Sequence, residues 1–98
     1  MKGWKTAVNN GLIYCIYNQD TVYCTVEVTN TQFNTTFQAF SGQTIGSAPK
    51  PVKPVLSPAY NNNNLLFAIY PDGLLYRRSM TGANVSSVSG QATFTWHY

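Results

Sequence analysis

The sequence predicts an all-β fold: a small antiparallel barrel or sandwich of about six to seven strands, closed around one core. Three observations carry that prediction. Apolar and polar residues alternate with period two through the first half and again at the C-terminus, the pattern of strands with one covered face. Clusters of Gly, Pro, Asn and Asp recur at intervals of roughly 8 to 12 residues, the turn spacing of sandwiches and barrels. No stretch shows a sustained 3.6-residue period, so helix is not expected. A chain of 98 residues has surface enough for a single core, and residues 1–98 are read as one domain.

The clearest element comes first. Leu12 to Tyr17 and Val22 to Thr29 alternate and are joined by Asn18, Gln19, Asp20 and Thr21, which makes a β-hairpin. Pairing Tyr17 with Val22 sets Cys15 opposite Cys24 and Ile13 opposite Val26, and it gathers Ile13, Cys15, Tyr17, Val22, Cys24, Val26 and Val28 on a core face. The reverse face carries Leu12, Tyr14, Ile16, Tyr23, Thr25 and Glu27. That face is too apolar for open water, so a second layer or another subunit is expected to cover it.

A third strand is predicted at Thr35 to Phe40. Gly42, Gly46, Pro49, Pro51, Pro54 and Pro58 then interrupt the pattern, so residues 46 to 64 read as mostly loop, with the asparagine run Asn61 to Asn64 as its solvated tip. A second hairpin follows: strand Leu65 to Tyr70, a tight turn at Pro71, Asp72 and Gly73, and a return strand Leu74 to Arg78. Met80 to Gly90 reads as a Ser/Gly/Asn-rich loop with a short strand at Val85 to Val88. Gln91 to Tyr98 alternates as the last strand, with Ala92, Phe94, Trp96 and Tyr98 on one face and Thr93, Thr95 and His97 on the other.

Composition narrows the chemistry. Only 9% of residues are charged, against about 25% in an average domain, so Asn, Thr, Ser and Gln supply the polar surface. Such a surface suits neutral hydroxylated ligands and subunit interfaces, where buried charge is costly. The net charge of +3 comes from Lys2, Lys5, Lys50, Lys53, Arg77 and Arg78, which are too scattered to make a footprint for nucleic-acid phosphates. The acids are Asp20, Glu27 and Asp72, and the only imidazole is His97. Hydrolytic catalysis is not expected, because no GxSxG elbow surrounds any serine and a glycosidase needs two carboxyls facing one another. Neither a cofactor nor a metal is predicted, zinc being disfavoured because His97 alone could join the two thiols.

Cys15 and Cys24 could bond across their strands, at a geometric cost. The N-terminus has no apolar signal region, which predicts a product made and kept inside the cell and favours two buried, reduced cysteines. No apolar run approaches the roughly 18 residues of a membrane helix, so membrane insertion is not predicted.

The two Trp, seven Tyr and five Phe belong mainly to the core and to cross-strand pairs. Some point outward, beside Arg and Asn. An outward ring can stack on the apolar face of a pyranose while amides and guanidinium groups bind its hydroxyls.

The order of signals resembles the C-terminal heads of receptor-binding proteins from phages of Gram-positive bacteria, the lactococcal siphophage baseplate heads in particular. The matching stretches are Trp4 before the strand Gly11-Leu-Ile-Tyr-Cys-Ile; the return strand Thr21-Val-Tyr-Cys-Thr-Val; Gly42-Gln-Thr-Ile-Gly46 leading into a Pro-rich loop; the strand Leu65-Leu-Phe-Ala-Ile-Tyr70; the return Asp72-Gly73-Leu-Leu; and an aromatic-polar C-terminus. The resemblance implies a homotrimeric β-barrel head with a saccharide cleft near each subunit boundary. It further implies partners among other tail or baseplate proteins, an upstream trimerising stem, and a place on the virion after assembly in the host cytoplasm.

Heads of this type often build the cleft from a His and an Asp before the second hairpin turn and a Trp after it. Those positions here hold Ala68, Tyr70 and Arg77, so the family's roles are not carried over. Side-chain direction instead nominates Tyr70 as a stacking platform and Arg77 as a donor to hydroxyl or phosphate, with Asp72, Arg78, Trp96 and His97 as further ligand-binding candidates. The expected function is recognition of a host cell-wall saccharide. The alternative is a structural fibre, baseplate or capsid-decoration module whose outward aromatics contact protein, and a nucleic-acid-binding barrel is the remaining reading.

Overall fold

The computed structural model describes residues 3–98; Lys2, one of the scattered bases, lies outside them. The fold is a sandwich of two antiparallel four-stranded sheets, and no helix occurs among the described residues. The first sheet has the order β1-β2-β3-β8, built from β1 (Lys5–Asn9), β2 (Ile13–Tyr17), β3 (Thr21–Phe33) and β8 (Val85–His97). The second has the order β4-β7-β6-β5, built from β4 (Gln38–Thr44), β5 (Val55–Ala59), β6 (Asn62–Ile69) and β7 (Leu74–Ser79).

The first hairpin has the register expected of it: Tyr17 pairs with Val22, Cys15 with Cys24 and Ile13 with Val26. Asn18 holds its turn, the side-chain Oδ1 accepting from the Asp20 and Thr21 amides, as Asx turns do. Ile13, Cys15, Val22, Cys24, Val26 and Val28 are all buried. β8 adds Ala92, Phe94 and Trp96 to the same inward face, opposite Val26, Cys24 and Val22. Leu65, Phe67, Ile69 and Leu75 come down from the second sheet to complete the core. Phe33, at the far end of β3, meets Phe67 edge to face, with centroids 5.5 Å apart.

One expectation is overturned in that core. Cys15 and Cys24 form a disulfide, not a pair of reduced thiols. Period-two pairing brought them face to face, and an argument from cellular compartment cannot outweigh that proximity.

Further differences have local physical causes. β1 was not anticipated; its KTAVN segment is short and mostly exposed, so it carries little apolar signal and is recruited as an edge strand by pairing with β2. The third strand begins three residues later than expected, because residues 34–37 cross between sheets. There the Asn34 carbonyl accepts from the Ser79 amide at 2.6 Å, and the Thr35 amide donates to Asn84 at 3.1 Å.

The stretch 46 to 64 is not all loop, since β5 and the start of β6 lie inside it. Pro58 is tolerated because β5 is an edge strand, where one amide face has no partner to lose. Asn61 to Asn64 is not a free tip either. Asn62 to Asn64 begin β6, the Asn61 side chain accepts from the Gln91 amide, and the Asn64 carbonyl accepts from the Met80 amide. Finally, Val85 to His97 is one strand of 13 residues. Gly90 hides the continuity in the sequence, yet it is buried where a Cβ would sit 3.2 Å from Leu65.

Gly46 ties the second sheet's connection to the edge of the first. At φ +64°, a Cβ there would lie 2.2 Å from the Ala7 carbonyl oxygen, so only glycine allows the two backbones to touch.

Candidate functional site

The six residues nominated from the sequence fall in three places. Strand register puts Ala68 opposite Tyr76 and Leu66 opposite Arg78 on the outer face of the second sheet, and Tyr70 continues that face. Tyr70 stacks on Tyr76 at 4.0 Å with an interplanar angle of 24°, and Phe37 meets it edge-on at 5.7 Å. Asp72 sits in the turn below, where Oδ1 accepts from the Leu74 amide at 2.9 Å and Oδ2 from the Tyr76 hydroxyl at 2.6 Å. The Tyr76 hydrogen bond, helped by the Leu74 amide, holds the Asp72 carboxyl below its usual range, and the same bond pushes the Tyr76 phenol up. Arg78 lies toward Phe37, 5.7 Å from its centroid. Tyr70, Asp72 and Arg78 therefore share one face, but the rings and the carboxylate are largely engaged with each other.

Arg77 is elsewhere. It pairs with Phe67 and so points to the inner side of the sheet. Its guanidinium lies 3.9 Å over the Phe40 ring, Nε donates to the Gln32 carbonyl at 2.8 Å, and Nη1 donates to the Ala39 carbonyl at 3.3 Å. Gln32 belongs to the first sheet and Ala39 to the second, so Arg77 is a tie between them. Burial lowers its pKa from the ordinary value.

Trp96 is also turned inward: it is 7% exposed, and its Nε1 donates to the Pro49 carbonyl at 3.0 Å. His97 points the opposite way, as alternation requires, and its Nδ1 lies 3.1 Å from the Thr21 hydroxyl, which donates to Asp20 at 2.7 Å. Among the described residues, no three His, Cys, Asp or Glu side chains converge as metal ligands would.

A cleft of about 250 Å³ opens on the outer face of the first sheet. Tyr14, Thr25, Glu27, Gln91 and Thr93 line it from neighbouring strands, and Tyr60 comes from the turn between β5 and β6. Tyr14 is 42% exposed and Tyr60 69%. The turn carrying Tyr60 is fixed from both sides, because the Tyr60 amide donates to the Gln91 carbonyl and the Gln91 amide donates to the Asn61 side chain, each at 3.0 Å. Gln91 also donates from Nε2 to the Glu27 carboxylate.

The cleft thus joins two exposed aromatic rings, two threonine hydroxyls, an amide and one carboxylate. Tyr14, Thr25 and Glu27 were already visible together as the reverse face of the first hairpin. Tyr60 and Gln91 were not, because no local pattern reveals that an asparagine-rich turn packs on the last strand. No protein family, curated protein or solved structure is matched by this chain.

Proposed function

We propose that the domain is a non-catalytic saccharide-binding head, displayed on a phage tail tip or baseplate, that binds a cell-wall glycan of the host. The observation that carries this reading is the Tyr14–Tyr60 cleft. Exposed rings offer flat apolar surface to a sugar face, and the Thr25, Gln91 and Thr93 side chains offer hydroxyl and amide partners around it. Its volume lies just below the roughly 300 to 1,000 Å³ of drug-sized sites, a size suited to one sugar ring. Glu27 is the only acid lining it, where hydrolysis of a glycosidic bond normally needs two carboxyls.

The disulfide supports a chain that works outside a reducing cytosol, and the resemblance of strand and turn order supports the phage setting. Three copies would raise weak single-site binding through local concentration. Tyr23, exposed on the same sheet but outside the cleft lining, is a natural place for copies to meet.

A glycan array of Gram-positive wall polysaccharides, followed by calorimetric titration of the hits, tests the assignment. Tyr14→Ala and Tyr60→Ala should each weaken binding about tenfold, with the β-sheet circular dichroism unchanged. Full affinity in both variants would sink the cleft as the site. Light scattering tests the trimer, which a monomer at all concentrations would rule out.

A further inference from the structure

Within a chain of net charge +3, the cleft is the exception. Its lining includes no Lys, Arg or His, and its one charged side chain is Glu27. One Glu27 oxygen accepts from Gln91 Nε2, which leaves the other oxygen without that partner. The same bond engages one of the two Gln91 amide hydrogens and leaves the amide oxygen as an acceptor. With two tyrosine rings beside a carboxylate, the cleft offers negative potential from both the π faces and the acid.

Resting on the saccharide reading above, we propose that this cleft selects a sugar carrying a protonated amine, a glucosamine-type unit, over N-acetylated and acidic sugars. The ammonium would donate to Glu27 and lie against a tyrosine ring, while the pyranose stacks on the other. A phosphate or uronate would meet Glu27 with no cation in the lining to answer it. The nominated phosphate donor, Arg77, is engaged between the sheets instead.

The test uses three probes on the intact protein at mildly acidic pH: a glucosamine tetramer, an N-acetylglucosamine tetramer and an oligogalacturonate. The wild type should bind the glucosamine tetramer about tenfold more tightly than the N-acetylated one, a difference of about 1.4 kcal/mol, and the oligogalacturonate least. Glu27→Gln keeps an acceptor for Gln91, so the cleft should hold its shape. That variant should bind the two tetramers with equal affinity. Equal binding of both tetramers by the wild type, tighter binding of the uronate, or a preference that survives Glu27→Gln overturns amine selection and leaves saccharide binding standing. No binding to any of the three probes also overturns amine selection, and the glycan array then decides saccharide binding by itself.

Discussion

Breaking the Cys15–Cys24 bond should lower stability by an amount set mainly by the loop it closes. The two cysteines are 9 residues apart in sequence, and for a loop of that length the chain-entropy relation gives about 2.6 kcal/mol at 25 °C. In a domain of this size each kcal/mol moves the midpoint by roughly 4 to 8 °C, so reduction should lower Tm by about 10 to 20 °C. Both cysteines are 0% exposed at the centre of the first sheet, so the thiols must be reduced in denaturant before refolding. Comparing oxidised and reduced wild type isolates the loop contribution, because the sulfurs remain in the core. The Cys15→Ala/Cys24→Ala variant adds the cavity left by both sulfurs and should melt lower still. Calorimetry on the three species is the assay. A reduced protein melting within about 3 °C of the oxidised one would refute the loop-closure reasoning. Two free thiols titrating in the denatured, unreduced protein would refute the bond itself.

Three other outcomes follow from the same contacts. Arg77→Ala should cost about 2 to 3 kcal/mol in urea unfolding, from lost charge-assisted bonds to two carbonyls and the cation–π contact with Phe40, while glycan affinity per folded molecule stays constant; unchanged stability would count against an inter-sheet tie. Gly46→Ala should cost more than about 2 kcal/mol, since its Cβ would meet backbone at a positive φ, and a midpoint equal to wild type would disprove the close approach. Asp72 has a depressed pKa, so the stability it lends is present above its ordinary 3.8 and lost as pH falls through the folded value, whereas the raised Tyr76 pKa makes its share present below 10.0 and lost at higher pH. Asp72→Asn should flatten the acid side of a stability profile relative to wild type, and identical profiles would dismiss the contribution.

Legibility differed sharply between the two halves of the chain. The register of the β2–β3 hairpin could be read to the residue because alternation, a four-residue polar turn and an apolar face all specify it, although β3 runs on to Phe33, four residues past the expected end at Thr29. β5 could not, because Pro54 and Pro58 carry breaker signals that only its place at a sheet edge makes harmless. The unity of β8 was hidden by serines and Gly90, which read as loop until Leu65 and Phe67 occupy the space beside the glycine. In the site, Tyr70 was correctly turned outward and His97 and Trp96 correctly opposed. The nomination of Arg77 treated a charged residue as solvent-facing, whereas parity with Phe67 directs it inward.

Sequence by itself determined the all-β class, the first hairpin's register and the core face of that hairpin, because period two and turn chemistry are local properties of the chain. Tertiary structure decided which sheet each strand joined, that Arg77 bridges the sheets, and that Tyr60 and Gln91 complete a cleft begun by Tyr14 and Glu27. Those outcomes depend on contacts between residues far apart in the chain, such as Tyr60 with Gln91 and Gln32 with Arg77. No local periodicity encodes such a contact; it exists only once the two sheets have packed.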